Sequence, residues 1–496
     1  MPKRSPSDYL AYADQVWTGA ATLGPQIYGD FADLGLVELG PRTAFFPRFA
    51  NVAVFDTGAG LVLVDTGEFR TAEDLVGAVR AWRPDADVRQ VVYTHGHVDH
   101  VFGAFHLDAD AEARGAERPE VLAHEAVAAR FDRYTETAGY NAWINRRQFQ
   151  APDIEWPTRY RYPDTTYRTR HSLRSGGLDF ELVHAKGETD DATYVWVPEL
   201  RTLCTGDLFI WNAPNAGNPQ KVQRFPVEWA RALREMQALG AELLLPGHGV
   251  PIVGAERIAS ALGDTAELLE SLCSQTLALM NAGARLDEVL QQVVVPAELL
   301  ERPFLHPAYD EPEFVIRNVW RLYGGWYDQN PAHLKPAAEA ALAAEFARAA
   351  GGAQALADRA LALLAEGELR LACHLAETAA LAAPEDRTIA GTRAEVYTRR
   401  AEQESSTMAR GVFGWAAAES RVQASGRSIH EAFALTGDGR RAASGVIAVG
   451  HVAGDDAHRA GAGDVAAGDA AAGDAAAGDA AAGDVAAGDV AAGGPA

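Results

Sequence analysis

Residues 91–100 read Val91-Val92-Tyr93-Thr94-His95-Gly96-His97-Val98-Asp99-His100. Val91 to Thr94 is a short apolar run of the kind that forms a buried strand. It delivers the chain straight into three histidines and an aspartate. Imidazole nitrogens and carboxylate oxygens are donors that zinc accepts readily. At a strand end, the His-x-His spacing lets alternate side chains face one metal while the following Asp-His pair faces a second. A histidine-rich surface loop is the bland alternative. Four potential ligands within His95–His100, directly after a buried strand, weigh against it.

One motif cannot fill two coordination shells, so further ligands must come from elsewhere. Three later segments sit at predicted strand ends: Lys186-Gly187-Glu188-Thr189-Asp190-Asp191 before a strand at 193–197, Thr205-Gly206-Asp207 after one at 202–205, and Leu245-Pro246-Gly247-His248-Gly249 after one at 242–245. Glycines beside each candidate permit the tight turns that aim one side chain into a cleft. Each segment alone is weak, and a Gly-His-Gly turn is more often only a turn.

Strand and helix signals interleave on both sides. Residues 51–55 and 61–65 flank Asp56-Thr57-Gly58-Ala59-Gly60 as a hairpin, residues 71–83 read as a helix, and 180–183 as a further strand. This α/β rhythm runs to about residue 260 and predicts stacked sheets covered by helices. Residues 130–175 interrupt it with aromatics and arginines, and are expected to be either a lid or substrate wall or an ordered surface excursion.

From about 261 the text turns Ala- and Leu-rich. Residues 353–366 and 368–383 read as a helical hairpin broken at Gly367, similar to one tetratricopeptide-like pair. From Gly463 a Gly-Asp pair recurs every five residues, with too little bulky apolar surface to offset chain entropy. The expected domains are therefore 1–260 (catalytic), 261–440 (helical) and 441–496 (a disordered acidic tail).

Composition narrows the function classes. The net charge of −24 argues against nucleic-acid backbone binding, which needs a basic face. Cys204, Cys273 and Cys373 are widely spaced and form no Cys-x-x-Cys pair, so neither a disulfide framework nor a thiolate zinc site is expected. No apolar signal core follows Met1, and no run approaches the roughly 18 apolar residues of a membrane span. A soluble cytoplasmic protein is expected.

Taken in order, Asp65-Thr66-Gly67, the histidine cluster, Asp207 and Gly247-His248-Gly249 resemble the metallo-β-lactamase superfamily over roughly residues 50–255. That resemblance implies an αββα sandwich with two metals at one edge of the sheets. It implies His95 and His97 at site one, Asp99, His100 and His248 at site two, Asp207 bridging the ions, and Asp65 supporting the histidine loop. One position departs: Glu188 stands where most of the superfamily has a histidine. Glu188 precedes Asp207 by 19 residues, which suits the family spacing, whereas His184 would require 23. Glu188 is therefore assigned as ligand, and His184 as packing or support.

A glutamate at this position resembles the alkylsulfatase branch. Arg317-Asn318-Val319-Trp320-Arg321-Leu322-Tyr323-Gly324-Gly325-Trp326-Tyr327-Asp328-Gln329-Asn330-Pro331 likewise resembles the opening of that branch's dimerisation domain, though bottom-up it could be simple core packing. Asn141 and Arg146-Arg147 are similar to an insertion of the same branch. Two departures stand against it. Asp207 replaces a second glutamate, and the helical region leads into low-complexity sequence where relatives carry a sterol-carrier-like domain.

The resemblance implies a zinc-dependent hydrolase, with iron or manganese as alternatives. Two metals activate water at neutral pH and polarise the substrate, which gives Asp99 and Asp207 their catalytic importance. An anionic sulfate head needs cationic and amide donors. Asn212, Asn215, Lys221, Arg224, Arg146 and Arg147 are the candidates, with solvated surface charge as the bland reading of each cation. Trp143, Trp156 and Trp211 would line an apolar pocket or pack the core. The expected function is hydrolysis of alkyl sulfate esters by a homodimer. Hydrolysis of a thioester, lactone or β-lactam is the alternative within enzymes, a metal-bearing scaffold protein the alternative outside them. A redox role on two irons lacks a flavin-binding signature beside the site.

Overall fold

The computed structural model describes residues 6–23 and 34–434. The Gly-Asp repeat and the expected tail lie outside the described residues.

The first sheet runs in chain order: β1 (Val37–Gly40), β2 (Thr43–Phe46), β3 (Val52–Asp56), β4 (Leu61–Val64), β5 (Val88–Val92), β6 (Glu120–His124) and β7 (Thr165–Tyr167). Strands β1 to β4 pair antiparallel and β4 to β7 parallel. The second sheet holds β8 (Arg170–Ser175), β9 (Leu178–His184), β10 (Thr193–Val197), β11 (Thr202–Ile210), β12 (Leu243–His248) and β13 (Ile252–Val253), in the order β13-β12-β11-β10-β9-β8. Only β11 and β12 pair parallel there.

The period-two pattern of β4 shows how the layers form. Val62 and Val64 join Phe55, Phe180, Leu182 and Val195 in one core, with Phe55 and Phe180 meeting edge to face at 5.4 Å. Leu61 and Leu63 point to the other face of the sheet, where Leu75, Val79, Leu107, Val127 and Phe131 of three helices cover them. The helices Pro226–Ala238 and Ala255–Asn281 cover the second sheet with Trp229, Leu233, Ile258 and Leu262. The result is the expected helix–sheet–sheet–helix sandwich.

The strands expected at 193–197, 202–205 and 242–245 all form, and β11 continues past Asp207 to Ile210. Residues 130–175 are built of regular elements and supply Tyr134, Asn145, Phe149 and Trp156 to the wall of the candidate cavity, as a substrate wall would. They contain the end of the helix Ala126–Glu136, the helix Ala138–Phe149, and both β7 and β8. Strand β8 alternates exposed and half-buried residues from Arg170 to Arg174 before the buried Ser175, so no apolar run betrays it.

Beyond the sandwich the chain is helical to residue 434. The hairpin Ala353–Glu366 and Leu369–Ala382 turns at Gly367, whose φ of 87° is the left-handed cap position that glycine favours. The helix Thr407–Ser425 opens on Ser406, whose hydroxyl accepts from the Ala409 amide at 3.3 Å, and packs on the helix Ala138–Phe149. Packing is close because Gly411 lies against Gln148: a Cβ there would stand 2.1 Å from the Gln148 carbonyl oxygen. The sandwich and the helical region are thus held together beside the cleft described next.

Candidate metal centre

The histidine loop follows β5, Asp207 lies within β11, His248 ends β12, Glu188 lies between β9 and β10, and Asp65 follows β4. Asp65 organises them. It takes a φ of 64°, a left-handed conformation that costs a non-glycine residue about 1–3 kcal/mol. That places its buried carboxylate against three donors: the Thr94 amide at 2.7 Å, the Thr94 hydroxyl at 2.8 Å and His100 Nδ1 at 2.8 Å. With Nδ1 committed as a donor, His100 turns Nε2 toward the cleft. His248 is oriented the same way, because its Nδ1 donates to the Phe49 carbonyl.

Two groups of donor atoms result. His95, His97 and Asp207 form one, Asp99, His100 and His248 the other, each with ligand atoms within 4.8 Å of one another. His95 Nε2 stands 2.8 Å from His97 Nδ1 and 3.6 Å from Asp207 Oδ2. His248 Nε2 lies 3.5 Å from Asp99 Oδ2 and 3.4 Å from Asp207 Oδ2, and His100 Nε2 3.4 Å from Asp207 Oδ1. Asp207 therefore reaches both groups. Ligands about 2.0–2.2 Å from a tetrahedral zinc are about 3.3–3.6 Å apart, so most of these edges match a metal shell better than hydrogen bonds.

Two further observations support the fit. His100 Nε2 and Asp207 Oδ1 are buried with no hydrogen-bond partner, a costly condition unless a cation satisfies them. Gly247 leaves room for Asp207, since a Cβ at that position would stand 2.2 Å from Oδ1. The electrostatics of the first group agree. Burial, with His100 nearby, pushes His95 down to about 3, which keeps it neutral and able to ligate. Burial alone would raise the Asp207 carboxyl, but His248, His100 and His95 hold it well below the usual carboxylate range.

Glu188 is buried beside this cluster but belongs to neither group of three. One of its oxygens is held by Arg224 at 2.7 Å and by the Asn215 amide. Burial pushes its carboxyl above the usual range, with Arg224 opposing and Asp207 adding to the rise. His184 stands apart. Its Nδ1 donates to the Ala192 carbonyl at 2.9 Å and its ring stacks on His124 at 3.7 Å.

A cavity of about 370 Å³ opens on His97, Asp99, Glu188, Asp207 and His248. Asn212, Asn215, Lys221 and Arg224 line it, as do Trp156 and Trp211. Arg146 and Arg147 do not. Asn145 and Phe149, one helical turn apart, face the cavity, and the helical period turns the two arginines elsewhere. Arg146 Nε instead donates to the Ile154 carbonyl at 2.8 Å. Trp143 is 51% exposed, outside the cavity wall.

Sequence reading missed several contributors. Asp191, fully buried, accepts from the Gly96 amide at 3.1 Å and pairs with Arg130 at 2.7 Å, so it anchors the histidine loop from the second sheet. Tyr309 and Arg410 reach the cavity from the helical region. No local pattern marks them, because only the tertiary fold brings them near the candidate ligands.

Residues 46–248 match the family model of the metallo-beta-lactamase superfamily. Those residues form a domain of that superfamily. Residues 285–423 match the model of alkyl sulfatase dimerisation, so the superfamily domain is joined to an alkylsulfatase-type dimerisation domain. Among curated proteins, the chain is 25% identical over 315 residues to a linear primary-alkylsulfatase of Pseudomonas sp., covering 59% of each chain. It is 26% identical over 404 residues to an (R)-specific secondary-alkylsulfatase of Pseudomonas sp., covering 75% of this chain and 60% of the relative. An alkyl/aryl-sulfatase of Saccharomyces cerevisiae is 25% identical over 346 residues, covering 65% and 53%. The chain thus spans 53–60% of the length of these relatives. A solved structure of a stereoselective inverting sec-alkylsulfatase from Pseudomonas sp. superposes with a TM-score of 0.69 at 24% identity, covering 78% of this chain and 66% of that one, and shares the fold.

Proposed function

We propose that this protein is a metal-dependent sulfuric-ester hydrolase that cleaves alkyl sulfates to alcohol and sulfate. The observation that carries the reading is the one cavity that joins both donor groups to cations and to apolar aromatic wall. Such a cavity suits a substrate with an anionic head and a greasy chain, and the alkylsulfatase relatives point to the same chemistry.

His95, His97 and Asp207 would hold one metal, with Glu188 completing its shell from beside Asp207. Asp99, His100 and His248 would hold the second, with Asp207 shared. Zinc fits the mixed imidazole–carboxylate set and the ligand spacing. When bound, the metals supply Lewis acidity and activated water at neutral pH.

The chain's own residues do the rest. Arg224 and Asn215 fix the Glu188 carboxylate. Lys221, beside the Trp156 ring at 5.5 Å, offers its ammonium to the sulfate oxygens. Trp156, Trp211 and Phe149 exclude water and accommodate the alkyl chain. Asp99 and Asp207 face the cavity among the histidines, where the ester would be cleaved.

The test is release of inorganic sulfate from an alkyl sulfate before and after chelation. Release should stop when metal is removed and resume when zinc is restored. Undiminished release by metal-free protein would overturn the proposal.

A further inference from the structure

A second group of cavity residues, Ala308, Tyr309, Ser405, Thr407 and Arg410, comes from the helical region rather than the sandwich. Three cations stand on the wall: Lys221, Arg224 and Arg410. Arg224 is already neutralised by Glu188. Among the described residues no carboxylate pairs with Arg410, whose guanidinium makes one long hydrogen bond, to the Thr407 hydroxyl at 3.5 Å. It also stands in the first turn of its helix, where the dipole opposes a cation. A structural role does not explain a guanidinium in that place.

The backbone that carries Arg410 is nevertheless firmly held. Its carbonyl accepts from the Gln150 side chain at 3.1 Å. Just before it, the Ser406 hydroxyl donates to the Tyr309 carbonyl at 2.9 Å, and the Thr407 amide donates to the Ala308 carbonyl at 2.9 Å. Just after it, Gly411 packs against Gln148. Arg410 is thus presented to the cavity by a rigid joint between the sandwich and the helical region, with its hydrogen-bonding capacity largely unspent.

We propose that Arg410 binds an anionic oxygen of the substrate, so that the helical region completes the recognition site of the hydrolase. This rests on the alkyl sulfate reading and extends it. The anion is either the sulfate head itself or an acidic group at the far end of the alkyl chain, and a guanidinium fork suits both. In the second case the substrates are doubly charged sulfate esters.

The experiment compares wild type with Arg410→Ala and Arg410→Lys, all metal-loaded, on decyl sulfate and on the same ester bearing a terminal carboxylate. Affinity is read by calorimetry with the non-hydrolysable sulfonate analogues of the two esters and, separately, KM by sulfate release. Arg410→Ala should weaken binding of at least one ester about 10- to 100-fold, with metal content and melting temperature unchanged and partial recovery in Arg410→Lys. Loss on both esters assigns the sulfate head; loss on the carboxylate-bearing ester alone assigns the far end. Unchanged affinity for both, or no binding of either by wild type, overturns the proposal. If wild type binds but releases no sulfate, the hydrolase reading fails while the calorimetry still tests Arg410.

Discussion

At the residue scale, the centre is a set of side chains each oriented by a second. Asp65 aims His100, the Phe49 carbonyl aims His248, and Arg224 with Asn215 aims Glu188. The histidines are legible because they cluster within six residues, whereas Glu188 rests on the interval to Asp207 that the family resemblance implies and belongs to neither group of three. Asp191 carried no local signal for its role, since its partners Gly96 and Arg130 are distant in sequence. Lys221 leads to a pH prediction. Burial against the cavity wall, with Arg224 adding repulsion, pushes its ammonium down to about 7. A group with a lowered pKa loses its proton earlier as pH rises, so Lys221 carries its charge below about 7 and loses it above. KM for an alkyl sulfate should therefore rise as pH climbs through 7, and Lys221→Arg, which stays charged, should flatten that rise. A wild-type KM that is level from pH 6 to 9 would remove Lys221 from anion binding.

At the scale of elements, strands that alternate or run apolar were readable, and those that do not were missed. The hairpin of β3 and β4, and strands β10 and β12, announce themselves by buried β-branched and leucine runs. The polar edge strand β8 does not, and so residues 130–175 read as an insertion. The helix Ala138–Phe149 within it contributes Asn145 and Phe149 to the cavity and receives the helix Thr407–Ser425 on Gly411. Nothing in the sequence marks that joint, because a glycine needed for close approach looks like any other. Gly411→Val should force the two helices apart and destabilise the protein by about 1–3 kcal/mol, as overpacking does elsewhere. It should also raise KM, because Arg410 is adjacent. Denaturant unfolding and steady-state kinetics check both, and wild-type values in each would show that the contact is not tight.

At the scale of the whole molecule, two matched domains meet beside one cavity. No helix among the described residues is long and apolar enough to cross a membrane. The helical region exposes large apolar side chains, among them Trp326 at 69% and Phe346 at 52%, of a kind that association commonly covers. Together with the match to a dimerisation domain, they lead us to propose a twofold homodimer. Sedimentation should give twice the chain mass at micromolar concentration, falling toward one chain when Trp326→Glu and Phe346→Glu are combined. A single-chain mass for wild type would contradict the dimer.

The central claim is that the two donor groups, with Glu188 beside Asp207, cleave sulfate esters. It is tested most directly by sulfate release from a panel of primary and secondary alkyl sulfates, with metal-loaded wild type beside His97→Ala and Glu188→Ala. Release by wild type that both substitutions abolish is the predicted result. No release from any ester, with metal bound, would contradict it.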